Sequence, residues 1–394
     1  MRVDAKAVPG ARQWVLAGLL ITAMTLSMLP LFLVGALGPR LIDEFDGAAS
    51  LLGALVAAGF AVAAVLSLIV GPMVAALGVR RCLVAMFVVS ALALTLFAVA
   101  PGYPVLVAAI AVSGLAQALA NPTTNQLIAT RISADRRGSV AGWKQSGVQF
   151  GAFLAGLPLA AIAVATTWRV AVGAAAAGAA VAAALALAVT KDAAPPRVPR
   201  VEVATSAGDA GWMCGFSVLL GAGISAINTY IALYAADELS LSATTASMLV
   251  AVLGVAGITG RVGWTRWASK LRCSGVVLGP LAFGAAIATL AILAAAAGGA
   301  WLAWAGVLGI GGCAVAANAV SMMTVIATAA PEHVGRDSAV VSAGFFAGFV
   351  VGPPLFGVLA ASGRHRYGPA WTLVAAEFLA AAVVAWWWQR RAAR

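Results

Sequence analysis

A helix needs about 20 consecutive apolar residues to cross the hydrocarbon of a bilayer. This chain supplies such runs twelve times, at roughly 14–37, 50–73, 83–100, 105–130, 139–165, 169–189, 212–235, 244–266, 274–297, 300–328, 338–361 and 369–388. Short polar stretches separate them (GPRLIDEFD, LGVRR, PGYP, SADRRG, ATTWR), and one long Pro-rich stretch, KDAAPPRVPRVEVATSAGDAG, interrupts the middle. The expected fold is therefore an all-α integral membrane protein of twelve transmembrane helices, numbered here as spans 1–12. It divides into a six-helix bundle over 1–190, a linker over 191–211 and a second six-helix bundle over 212–394. The first run is longer than the ~7–15 residues of a signal-peptide core, so it is read as a retained helix.

Charge fixes an expected orientation. The chain carries 24 Lys and Arg and a net charge of +11, which raises nucleic acid as a partner. The bases, however, sit in short loops between apolar runs, with no basic stripe on a folded domain. No nucleic-acid partner is expected. With both termini cytoplasmic, 18 of the 24 bases fall inside and only Arg40, Arg169, Arg364 and Arg366 outside. Basic residues favour cytoplasmic loops, so the inner membrane with cytoplasmic termini is the expected placement. Lys144 and Arg261 belong to neither group; both lie within spans.

The halves resemble each other. SGLAQALANPTTNQLIAT (113–130) and GIGGCAVAANAVSMMTVIAT (309–328) both end a small-residue helix with Asn and then IAT. LIDEF follows span 1 and AADEL follows span 7, about half a chain apart. Duplicated transporter halves leave this kind of weak internal symmetry.

Six plus six helices, a long central linker and a basic loop after span 2 resemble the major facilitator superfamily. Its loop signature, G-x-L-a-D-r-x-G-r-k, is similar to GPMVAALGVRR (71–81), which keeps Gly71, Gly78, Arg80 and Arg81 as the gating loop but has Ala75 at the acid's place. The second-half copy, GRVGWTRWASKLR (260–272), has Ser269 there. The resemblance implies alternating access, with two bundles rocking about a central site built from spans 1, 4, 5, 7, 8, 10 and 11. It also suggests a proton as coupling ion and a monomer as the working unit. No carboxylate–histidine relay is visible in the core to support the proton, because His333 and His365 lie in loops.

Polar residues within spans are expensive and mark pathways by default. On a helical wheel of span 5, Lys144, Gly147, Gly151, Ala155 and Pro158 share a face. Gln145, Gln149, Ala152 and Gly156 lie beside it, and Trp143, Phe150, Phe153 and Leu157 opposite. The aromatic sector suits lipid, so Lys144 is expected to point inward; snorkelling to the interface is the alternative. Span 4 adds Gln117, Asn121, Thr124 and Asn125 on one face, span 7 adds Ser225, Asn228, Thr229 and Tyr230, and span 10 adds Asn318, Ser321 and Met322. These read as cavity lining or as interhelical hydrogen-bond glue. Arg261 in span 8 is spaced from its loop as in monocarboxylate transporters, where the resemblance implies a carboxylate-binding arginine; a brace for the loop is the other reading. Glu377, in span 12, reads as a structural group.

Span 5 is also similar to the antiporter signature of drug exporters, keeping Gly138, Gly147, Gly151 and Gly156 but replacing its proline with Ala152. Cargo sign decides between the two readings. Exporters of cationic drugs generally use an embedded acid, and none occurs in spans 1–11. Two embedded cations select an anion, since a charge pair at 4 Å and an effective dielectric near 20 is worth about 4 kcal/mol before desolvation. The leading expectation is a carrier of small organic anions, with an exporter of neutral or amphipathic compounds as runner-up. The substrate set is Lys144, Arg261, Gln145, Gln149, Gln117, Asn121, Asn125, Asn228, Tyr230 and Asn318. H-E-x-x-H, G-x-S-x-G and a P-loop are all lacking, and the four cysteines have no ligand spacing. An enzyme, a metal site and a cofactor are not expected.

Overall fold

The computed structural model describes residues 10–45, 47, 49–132, 134–190, 209–271, 273–328, 334–361 and 367–392. Most of the linker, with His333 and His365, lies outside them. Among the described residues 12 helices are long and apolar enough to cross a bilayer. They fall on the predicted runs: Trp14–Ala36, Ser50–Ser67, Val79–Ala98, Tyr103–Arg131, Val140–Ala165, Trp168–Val189, Gly211–Asp237, Ala243–Ala268, Ser274–Gly298, Trp301–Val325, Asp337–Ala360 and Gly368–Arg391. The helix of span 2 continues to Leu77.

Local chemistry sets the ends of these helices. Pro104 stands in the first turn of span 4, where its missing N–H is no loss. Thr167 caps span 6 by accepting from Val170 N, and Ser242 caps span 8 by accepting from Thr245 N. Gly78 turns the chain between spans 2 and 3 at φ +86°, a left-handed conformation that glycine takes without steric cost.

Each half locks its first span to its last at the end remote from the linker, called here the far face. In the first half, the short helix Gly38–Glu44 carries Glu44 onto Trp168 Nε1 and the Arg169 guanidinium at the start of span 6. In the second, Asp237 at the end of span 7 accepts from Tyr367 Oη at 2.7 Å, beside the start of span 12. The acids come from LIDEF and AADEL, though from different members of the shared Asp-Glu pair, Glu44 in one half and Asp237 in the other. Burial alone would raise the Glu44 carboxyl, but hydrogen bonds from Trp168 and Arg169 outweigh it and hold the group below its ordinary value. A depressed carboxyl stabilises the fold above its unfolded pKa, about 4.3, and that contribution is lost as pH falls through the folded value. Because the pair is exposed, Glu44→Gln is expected to cost under about 1 kcal/mol at pH 7. The deficit should hold down to about pH 4.3 and shrink only as melting is repeated at lower pH.

The halves meet along three seams. Span 1 meets span 7, span 2 meets span 11 and span 5 meets span 8. The last two are exchanged by the internal symmetry. Phe60 of span 2 packs 4.4 Å from Phe349 and 5.8 Å from Phe346 of span 11. On the span 5–span 8 seam glycines bring backbones together. A Cβ at Gly156 would collide with Ala251 N and Ser247 O, and one at Gly254 with Gln149 O and Phe153 N. Small residues permit such approach where lipid supplies no hydrophobic drive between helices.

Candidate substrate site

Lys144 sits in span 5, near its linker end, and is only 3% exposed. Its ammonium donates to Asn125 Oδ1 at 2.7 Å and to Asn121 Oδ1 at 3.1 Å, both on span 4. Snorkelling is therefore not what the side chain does: it is turned into the protein, onto the face that carries the two asparagines one helical turn apart. Two dipoles solvate the charge without cancelling it. An ammonium has three donors, so one proton remains for a further acceptor. Asn121 is half-buried and Asn125 exposed, which puts the ammonium at the edge of the packed region.

Arg261 approaches from the other half. It is 7% exposed, and its Nη1 points at Gln145 O at 3.4 Å. Gln145 is the residue after Lys144, so the two cations stand together across the span 5–span 8 seam and repel each other. Arg261 Nε is buried without a hydrogen-bond partner among the described residues. Neither cation is ion-paired there; the salt bridge among the described residues is Glu44–Arg169. The arrangement offers a forked donor and an ammonium from opposite halves, which a carboxylate can bridge.

Two other members of the predicted set carry a buried oxygen with no partner among the described residues. These are Gln117 Oε1 in span 4 and Asn228 Oδ1 in span 7, and Asn228 Nδ2 donates to Ile224 O. Gln149 is buried and lies against Gly257 of span 8. Asn318 is half-buried in span 10 and its carbonyl accepts from Ser321 Oγ.

Tyr230 is not brought to the cations. Its ring is fully buried toward the far face, stacked on Phe356, and its hydroxyl lies 3.0 Å from both Ala49 O and Pro353 O. It closes the far face instead of reaching Lys144. Asn228 shares that neighbourhood through its backbone, since its carbonyl is the atom a Cβ at Gly35 would strike. Ser247 Oγ adds a bond to Ala36 O at 2.8 Å. Ala243 O of its own preceding turn is also 2.8 Å away, and that ordinary helical back-bond is all that the sequence signals for Ser247.

The inward face assigned to span 5 also divides. Gly147 and Gly151 are pressed against Ile21, Thr25 and Phe32 of span 1, and Thr25 Oγ1 bonds Gly147 O at 2.9 Å. The Gly147–Gly151 stretch of that face is therefore taken by span 1, and the Lys144 end is not. Trp143, Phe150 and Leu157 are exposed as expected.

In the gating loop, Gly71 lies within the helix of span 2 and Arg81 is exposed. Arg80 Nη2 donates to Leu187 O at 3.0 Å, in the last turn of span 6. A cation on the orphan carbonyls of a helix C-terminus is favourable, so this arginine braces the first half internally.

A separate apolar groove of about 970 Å3 opens on the side of the molecule between spans 5, 8 and 10. Phe153, Leu157, Val255, Trp264, Trp267, Trp304 and Leu308 line it. Spans 5 and 10 each contain one π-helical turn, Ala155–Leu159 and Gly311–Val315, and each turn contributes a residue to the groove.

A duplicated twelve-helix body with its polar groups gathered at the meeting of the halves defines a membrane transporter. The major facilitator superfamily model matches residues 15–211 and again 211–394, and the chain belongs to that family. It is similar in fold to a bacterial homologue of the human lysosomal transporter Spinster, in an inward-facing and occupied conformation, at TM-score 0.76 and 16% identity over 98% of both chains. It is likewise similar to a D-xylose–proton symporter (TM-score 0.77, 16% identity, 95% of this chain and 97% of that one). A third likeness is a mutant form of the nucleoside transporter NupG (TM-score 0.73, 13% identity, 95% of this chain and 99% of that one). No curated protein sequence matches the chain. The protein is a secondary transporter and not an enzyme.

Proposed function

We propose that this transporter carries a small organic anion, a carboxylate, held between Lys144 and Arg261. The observation that carries the reading is the pairing of two buried cations from opposite halves, neither ion-paired among the described residues. Like charges at a seam destabilise the empty protein, and an anion between them relieves the repulsion. Because one cation belongs to each half, the anion also holds the two halves together, as a substrate must in alternating access. Gln117 and Asn228 offer further polar atoms, for the part of the substrate away from its carboxylate.

The far face is sealed by Tyr230, Gly35 and Ser247, so the site in this state is served from the linker face. The distribution of bases supports taking that face as the cytoplasmic side of the inner membrane. On this reading residues 1–190 and 212–394 are the two rocking bodies.

The test is thermal stability of the detergent-purified protein against carboxylates, neutral amphiphiles and cationic dyes. A bound carboxylate at 100 times its dissociation constant adds about 2.7 kcal/mol. Stabilisation by carboxylates is expected, and at the same ligand concentration it should fall by about half or more in Lys144→Ala. Stabilisation by amphiphiles alone, unchanged in that variant, would favour the exporter reading. Uptake into vesicles with and without an imposed proton gradient then tests the proton as coupling ion.

A further inference from the structure

The groove between spans 5, 8 and 10 lies outside the substrate site and has its own chemistry. Its side-chain lining is apolar except for Thr259, and its volume is at the top of the ~300–1,000 Å3 range of small-ligand sites. Several of its residues are turned outward: Val255 is 47% exposed, Trp267 50% and Leu308 54%. In a chain that spans the bilayer, that exterior is hydrocarbon. Along span 8 the lining runs from Met248 to Trp267, about 28 Å at 1.5 Å per residue, close to the ~30 Å of a hydrocarbon core.

One end is marked by charge. Arg266 follows Thr259 by seven residues and therefore continues the same face of span 8. It is exposed, as is Lys270 just beyond the helix. Trp264 and Trp267 meet edge to face with ring centroids 5.4 Å apart immediately beside it, the kind of amphipathic pair that sits at a membrane interface. An apolar trough long enough to take an acyl chain along its linker-side half, ending there in aromatic rings and then a guanidinium, is complementary to a molecule that is only partly apolar.

The geometry points to a site for a bilayer lipid with an anionic phosphate headgroup, its acyl chain in the groove and its phosphate at Arg266. The walls come from both halves, Phe153 and Leu157 on one side and span 8 and span 10 on the other. An occupied groove therefore favours the state in which those walls stand at this separation.

Gly263 and Gly312 allow a clean test, because a Cβ at either meets no atom within 4 Å; both line the groove. Gly263→Leu fills it without touching the substrate site, and Gly312→Leu repeats the test should the first variant not fold. The purified full chain is delipidated, offered phosphatidylglycerol or phosphatidylcholine, and examined by native mass spectrometry. The wild type is expected to retain one phosphatidylglycerol with about tenfold preference over phosphatidylcholine. Gly263→Leu should lose the bound lipid, and Arg266→Gln should keep it but lose the preference. Equal retention of the two lipids, or full retention in both leucine variants, overturns the proposal. Protection by glycerol phosphate alone would make it a headgroup site and overturn it as well. So would a dimer that Gly263→Leu converts to monomer, since the groove would then seat a second copy.

Discussion

Arg261→Ala is expected to weaken anion binding by about 10- to 150-fold while leaving the unliganded protein as stable as before or more so. The magnitude follows from hydrogen bonds to charged groups, about 1.5–3 kcal/mol each. The sign of the stability change follows from the seam: Arg261 and Lys144 repel each other, and removing either relieves that repulsion. Arg261→Lys keeps the charge but loses the planar fork, so an intermediate loss is expected. Lys144→Ala should match Arg261→Ala in affinity, and the double variant should fall short of the product because both cations hold one ligand. Counterflow of labelled substrate and melting of the empty protein, measured on the same preparations, check all four. If Arg261→Ala loses transport and stability together, its contact with Gln145 O is a structural brace and the anion site is lost with it.

Gly156→Val is expected to trap the carrier open at the far face. The added Cβ would be driven into Ala251 N and Ser247 O, which are backbone atoms of span 8 and cannot swing aside. Overpacking of this kind costs about 1–3 kcal/mol, and a penalty confined to one state moves the equilibrium by about 5- to 150-fold. A cysteine placed at Thr229, fully buried in this state, should become accessible to a membrane-impermeant maleimide from the far side. Transport should fall in parallel. Gly178→Leu is the control, because a Cβ there meets no atom within 4 Å; it should alter neither reading. Unchanged labelling in Gly156→Val would mean that the seam does not part during transport.

Much of this architecture is written in single-helix patterns. The spans, their grouping into halves and the outward turn of Trp143, Phe150 and Leu157 all depend on residues of one segment alone, as does the turn of Lys144 away from lipid. What the sequence could not show are meetings between segments. That Asn121 and Asn125 receive Lys144 requires knowing that spans 4 and 5 approach at that height. Tyr230 near Asn228 reads as one polar stripe, but the tyrosine hydroxyl reaches the carbonyl just before span 2 and one in span 11, far away in sequence. The wheel of span 5 has a further difficulty. It assumes 3.6 residues per turn, and the π-helical turn at Ala155–Leu159 breaks that count, as such turns do at functional places. Gly147 and Gly151 look like cavity lining because small residues serve equally for a ligand and for a neighbouring helix. The lateral groove draws on three spans from two halves and has no linear signature.

The Tyr230 hydroxyl rests between two carbonyls but owns a single proton, so it can donate to only one at a time. Pro353 O belongs to the same half as the tyrosine; Ala49 O belongs to the other. When the halves part, the proton stays with Pro353 and no buried donor is stranded. Ala49 O, at the mouth, is left to water. Catches that hold by a committed bond must break it before they open, leaving an orphaned polar group behind. This one slips: the hydrogen bond changes owner instead of disappearing, and the far face can be both well sealed and quickly released.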